Sequence, residues 1–197
     1  VIIGSRFLWL HLPKTGGTSL RHVFRERQIA EVTVDADDSP SKHDSVVLRE
    51  SRTTWRAGGR QRFITARRLA DWLVSDWHHK RRHMGLPDLD FEPVRSGLYY
   101  SLRLGGTWVA ADWWLQYFAL DAETVSLRLE HLADDLNARL LPLLPSETAP
   151  FHQVPRRNAR PTGHPQTFTD ADVRRMRAAN PRWTAWEHRV YADLPDR

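Results

Sequence analysis

FLWLHLPKTGGTSL, residues 7–20, carries the strongest structural statement in the chain. An apolar run comes first, then a Pro-Lys-Thr-Gly-Gly-Thr-Ser turn, then the opening residues of an amphipathic helix. A strand, loop and helix in that order make an anion cradle. The strand positions the loop, glycines let backbone N–H groups approach the anion, and the helix N-terminus adds its dipole. Lys14 supplies a mobile cation, and the expected anion contacts are the backbone around Thr15, Gly16, Gly17 and Thr18 with the hydroxyls of Thr18 and Ser19. A Walker A loop places its lysine after the second glycine, whereas Lys14 precedes both Gly16 and Gly17, so the order speaks against an ATP-type loop. The plain alternative is a strand-to-helix turn with a solvated lysine.

Working outward, 197 residues suffice for one α/β domain with a real core and are too few for two ordinary ones, so a single domain over residues 1–197 is expected. Hydrophobic residues at 41% and charged residues at 27% are ordinary for a folded domain and argue against wholesale disorder. Short apolar runs alternate with helical patterns, which predicts a P-loop-like fold: a mostly parallel central sheet flanked by helices. Strands are expected at 7–11, 30–34, 62–66 and 124–129, and helices at 18–28, 69–82, 112–118 and 131–141. Thr169-Asp170 caps a last helix to Ala179, ended by Pro181, while residues 43–51 fit either a short helix or a strand. Residues 85–106, with Pro87, Pro93, Gly97 and Gly105-Gly106, read as irregular, a natural acceptor-binding surface.

The net charge of +5 asks for anionic partners. Its basic residues are overwhelmingly arginine, with lysine only at Lys14, Lys42 and Lys80, and they are scattered rather than gathered into one arm. Arginine's planar fork suits phosphate and sulfate alike, so charge alone does not choose between a small anionic donor, a polysaccharide and a nucleic acid. The absence of cysteine removes disulfide frameworks and fits a reducing, cytoplasmic setting. His79 and His83 have the i,i+4 spacing of two metal ligands, but His78-His79-Lys80-Arg81-Arg82-His83 reads more simply as a basic helix end, and no metal site is expected. No apolar run approaches the ~20 residues of a membrane span.

The string His11-Leu12-Pro13-Lys14-Thr15-Gly16-Gly17-Thr18-Ser19 resembles the 5′-phosphosulfate loop of sulfotransferases that use 3′-phosphoadenosine-5′-phosphosulfate (PAPS), in the carbohydrate branch that contains heparan sulfate 2-O-sulfotransferase. FITARRLADWLVS, residues 63–75, resembles that family's RNPxxRxxS segment, with Arg68-Leu69 in place of Asn-Pro and Trp72 in place of the second arginine. Weaker likenesses follow in the same order: Lys42-His43-Asp44 where the family carries a histidine, Ala111-Asp112-Trp113-Trp114-Leu115 with residues 126–132, and Val154-Pro155-Arg156-Arg157-Asn158-Ala159 as a late loop over the donor.

The resemblance implies sulfuryl transfer from PAPS to a hydroxyl acceptor, a saccharide in this branch, with adenosine 3′,5′-bisphosphate as product, no metal and no nucleic acid. It implies Lys14 at the leaving phosphate, His43 as base, Arg67 and Ser75 at the 3′-phosphate, and Arg156, Arg157 and Asn158 in a lid within residues 150–165. Lys42 or Asp44 would orient His43, with Glu130 and Glu50 as reserve bases. His11 is expected to be buried and structural, and His22 to be solvated or to pack behind the loop. Trp55 and Trp108 are acceptor-site candidates by location, the helical tryptophans being core. Two other readings stay open: a catalytically silent, polyanion-binding domain of this type, which the altered RNP segment favours, and a P-loop kinase.

Overall fold

The computed structural model describes residues 1–155 and 168–192. In chain order its strands are β1 (Ile2–Ile3), β2 (Phe7–Leu10), β3 (Thr33–Val34), β4 (Gln61–Ala66), β5 (Leu98–Ser101), β6 (Thr107–Ala110) and β7 (Val125–Arg128). Its α-helices are α1 (Gly17–Arg27), α2 (Val46–Arg52), α3 (Leu69–His83), α4 (Glu92–Arg95), α5 (Asp112–Tyr117), α6 (Leu132–Asp135), α7 (Asp170–Ala179) and α8 (Pro181–Val190). The chain divides into two compact units, Val1–Ala66 with Phe118–Asn158 and Arg67–Tyr117 with Ala159–Arg197.

The first unit is α/β. Phe7, Leu8, Trp9 and Leu10 are all buried, the signature of a strand covered on both faces. The five-stranded sheet runs β3-β1-β2-β4-β7. β2 pairs in parallel with β4, and β4 with β7, but β1 is antiparallel to both β2 and β3. The sheet is therefore mixed, which corrects the expectation of a mostly parallel one. Gly4-Ser5-Arg6 allows only a hairpin between β1 and β2, since parallel neighbours need a crossover of about a dozen residues or more. In α1, Leu20, Val23 and Phe24 form one apolar face. Phe24 meets Phe7 at 6.3 Å and Phe151 at 5.6 Å between ring centres, in a core that also holds Trp9, Phe63 and Leu127.

The helix expected at 131–141 is broken. Its α-helical part is Leu132–Asp135, followed by a π-helical turn, Leu136–Leu140, and a 3₁₀ turn, Leu141–Leu143. Leu132, Leu136 and Leu140 all reach the core, while Pro142 cannot donate the next helical hydrogen bond.

In the second unit α3 buries Leu69, Trp72, Leu73 and Trp77, as its spacing predicts. Trp72 lies edge-on to Tyr99 at 5.3 Å and against Trp183 at 4.9 Å. Part of the segment expected to be irregular is ordered: α4 precedes β5, and β5 and β6 form an antiparallel ladder pairing Tyr99 with Val109. Strands of four residues framed by Gly97 and Gly105-Gly106 are too short for alternation to outweigh the glycines. Pro181 ends α7 and also opens α8 at the first helical position, where its missing N–H costs nothing. No helix among the described residues is long and apolar enough to cross a membrane.

Candidate functional site

The cradle follows the buried end of β2. Lys14 holds a left-handed backbone at φ 65°, uncommon for a residue with a Cβ, and Gly16 follows at φ 82° as the N-cap of α1. The fully buried Thr15 donates its hydroxyl to Leu12 O at 2.7 Å, so that side chain pins the loop while only its backbone serves the cradle. A Cβ on Gly16 would come within 2.5 Å of Leu129 Cδ1, and one on Gly17 within 1.8 Å of His11 Nε2. Glycine is therefore required twice, first for backbone conformation and then for space against an imidazole. Gly16 offers no side-chain cap, and the first turn of α1 contains no acid. Thr18 is exposed and Ser19 buried. With no acid among its own first-turn residues, this helix start suits an anion.

The imidazole behind Gly17 connects the cradle to His43. His11 is buried, stacks on Trp9 at 5.2 Å, and lies 4.3 Å from the His43 ring. His43 Nδ1 meets the His11 backbone oxygen at 2.9 Å. Because a carbonyl only accepts, Nδ1 carries the proton and Nε2 is the basic nitrogen. Burial lowers the His43 pKa to about 4, with the His11 carbonyl opposing and the Lys42 charge reinforcing the shift. Burial holds His11 well below its ordinary value too, with the His43 charge adding to it. Both rings are neutral near pH 7. The group on Nδ1 is thus the His11 carbonyl, whereas Lys42 donates to Asp37 O at 2.6 Å and Asp44 pairs with Arg52 at 3.4 Å. This replaces the expectation that Lys42 or Asp44 orients the ring.

Arg67 and Ser75 belong to the second unit. Arg67 precedes α3, and its carbonyl accepts from Trp183 Nε1 at 3.2 Å; Ser75 lies half-buried within α3. Arg68 is engaged elsewhere, stacked 4.6 Å over Tyr191 and 3.8 Å from the Glu187 carboxylate. Glu187 also takes the Leu69 N–H at 2.8 Å, so the start of α3 already holds an anion from its own chain. Arg156, Arg157 and Asn158 lie outside the described residues.

The remaining expectations resolve separately. Glu50 accepts from the Ala57 N–H at 2.8 Å and so holds a turn. Glu130 is exposed after β7, and the group that braces this strand end is Asp135, which binds Arg128 through N, Nε at 3.0 Å and Nη2 at 2.7 Å. His22 pairs with Glu26 at 2.8 Å, one turn apart on α1. His79 and His83 approach to 5.2 Å between ring centres, but no group of three or more metal-ligating side chains occurs among the described residues. Trp108 packs edge-on to Tyr100 at 5.4 Å within the β5–β6 hairpin. Trp55 lies beside Gly4 and Arg60, which precede β2 and β4, at the strand ends opposite the cradle. That placement removes it from an acceptor site at Lys14. No family model, no curated protein and no solved structure matches the chain.

Proposed function

We propose that this chain is a P-loop-like sulfotransferase that moves a sulfuryl group from PAPS to a hydroxyl, most simply on a saccharide, in the cytoplasm. The observation that carries the reading is the seating of His43: a neutral imidazole of fixed tautomer lies against His11, whose ring backs Gly17 of the cradle. The turn and the His43 imidazole thereby share one buried support, which favours their working on one ligand. The cradle fits the group on chemical grounds as well, since its helix start carries no acid and its glycines leave the backbone bare.

PAPS, when bound, supplies the activated sulfuryl group and leaves as adenosine 3′,5′-bisphosphate. The backbone from Thr15 to Thr18 holds the phosphosulfate, and the Lys14 ammonium offsets negative charge on the departing phosphate oxygen. His43 Nε2 takes the acceptor hydroxyl proton as that oxygen bonds to sulfur. The resemblance assigns Arg67 and Ser75 to the 3′-phosphate, by a charge-assisted fork and a neutral donor.

Calorimetry tests the donor half with adenosine 3′,5′-bisphosphate against ATP, and mass spectrometry tests transfer onto a saccharide panel. Saturable binding of the bisphosphate, weaker for ATP, is expected. A folded chain that gives no heat with the bisphosphate rejects the proposal.

A further inference from the structure

A cavity of about 490 Å³ opens at the other ends of the strands that lead into the cradle. Ile3, Gly4 and Ser5 line it from the β1–β2 turn, Arg60 from the approach to β4, and Trp55 from the loop after α2. That volume lies within the roughly 300–1,000 Å³ of small-molecule sites. Its chemistry is not that of an apolar drug pocket: one half-buried indole sits among the hydroxyls of Thr33, Thr53 and Thr54.

The main chain that carries the indole is tied back to α2. The Trp55 backbone N–H donates to Thr53 Oγ1 at 3.2 Å, Thr53 Oγ1 donates to Arg49 O at 2.9 Å, and the Arg49 guanidinium lies 5.7 Å from the indole ring centre. The two guanidiniums differ in their neutralisation. Arg49 is ion-paired with Asp35 and donates to Ser41 Oγ at 3.2 Å, yet its buried Nε meets no acceptor. Arg60 donates to the carbonyls of Gly4 at 2.9 Å, Ala57 at 2.9 Å and Arg56 at 3.2 Å, and pairs with no carboxylate among the described residues. Glu31, on the rim at φ 59°, is the one acid lining the cavity.

We propose that this cavity binds a sugar unit bearing a carboxylate or sulfate, as a subsite separate from the cradle. Trp55 offers an apolar face for the C–H face of a pyranose, Glu31 and the threonines engage its hydroxyls, and Arg60 meets its anionic group. Arginine is suited to that last task by its weakly hydrated planar fork. The subsite does not depend on the sulfotransferase reading, and its occupant need not be a substrate.

The test uses the full chain with two probes, a glucuronate-containing disaccharide and the neutral disaccharide maltose, followed by ligand-observed NMR and calorimetry. Saturable binding of the acidic probe is expected, with maltose weaker by about tenfold or more, the scale of one charged contact. Trp55→Ala and the cavity-filling Thr54→Tyr each weaken the acidic probe by about tenfold, while Trp55→Phe, which keeps a ring, holds it within about threefold. Thr54 is exposed, so its variant tests the cavity should Trp55→Ala unfold. No saturable binding to folded wild type, equal binding of maltose, or an unchanged affinity in folded Thr54→Tyr overturns the subsite. Adenosine 3′,5′-bisphosphate titrated into the same variants reads the cradle independently: its binding persists when the subsite is lost, so the two proposals fail separately.

Discussion

α1 and α7 begin in opposite ways. α7 starts with a capping box: Asp172 N–H donates to Thr169 Oγ1 at 3.1 Å, the Asp172 carboxylate takes the Thr169 N–H at 2.9 Å, and Asp170 adds a second acid to the first turn. α1 starts on a left-handed glycine with no side-chain cap and no acid. Elsewhere the chain supplies the missing oxygen from a distance: the Asp112 carboxylate takes the N–H groups of Arg182 and Trp183 at the start of α8, and Glu187 takes Leu69 N–H at the start of α3. A helix start that the protein completes is structural. One with no acid in its own first turn, braced from behind by a buried imidazole, has the chemistry to take an anion from outside.

The contrast can be broken from the α1 side with the largest effect. Lys14→Ala lowers sulfuryl transfer about 10²- to 10³-fold, the range seen for loss of one group that stabilises developing charge. Lys14→Gly loses as much activity yet melts at the wild-type temperature or above, because the left-handed backbone at this position suits glycine. Equal activity in either variant removes Lys14 from the chemistry.

The next effect depends on the neutral rings behind Gly17. With the folded His43 pKa at about 4 and the ordinary value at 6.5, the unfolded chain binds a proton between these limits that the folded chain refuses. Stability from this residue is therefore complete above 6.5 and falls as pH drops toward 4, by up to about 3 kcal/mol. Denaturant unfolding at both ends of the window should show a smaller drop for His43→Gln than for wild type. An identical drop would remove this linkage. The acid limb of kcat/KM is expected near 4 rather than at 6.5.

Thr18→Glu makes the start of α1 resemble that of α7. It stabilises the helix by about 0.3–1 kcal/mol through the dipole. The same change weakens adenosine 3′,5′-bisphosphate about tenfold or more by placing like charge in the cradle. If melting temperature and affinity rise together, the cradle reading fails. The smallest effect is the control on the other side: Thr169→Ala removes the cap of α7 at about 1 kcal/mol and leaves bisphosphate binding unchanged, as paired calorimetry and thermal melts would show.

Much of this was legible along the chain. Phe7–Leu10 and Gly17–Arg27 stand where the apolar run and the TGGTS turn put them, and α3 presents its expected tryptophan face, because strong local patterns survive packing. The strand expected at 30–34 is present as the shorter β3, but β1 and the antiparallel pairing of both were not legible, since a two-residue strand carries no periodicity and is defined only by its partner. The same holds for the groups that complete helix and strand ends. Glu187 meets Leu69 across 118 residues, and Asp112 meets Trp183 across 71, separations that no spacing rule connects.

The sequence by itself determined the strand, the glycine turn and the helix that follows, because backbone conformation at Gly16 and the apolar spacing of Leu20, Val23 and Phe24 are local properties. Only the tertiary structure decided that His11 backs Gly17, that its carbonyl selects the His43 tautomer, and that Arg68 pairs with Glu187. Hydrogen bonds and desolvation depend on which groups fold into contact, and chain order does not contain that.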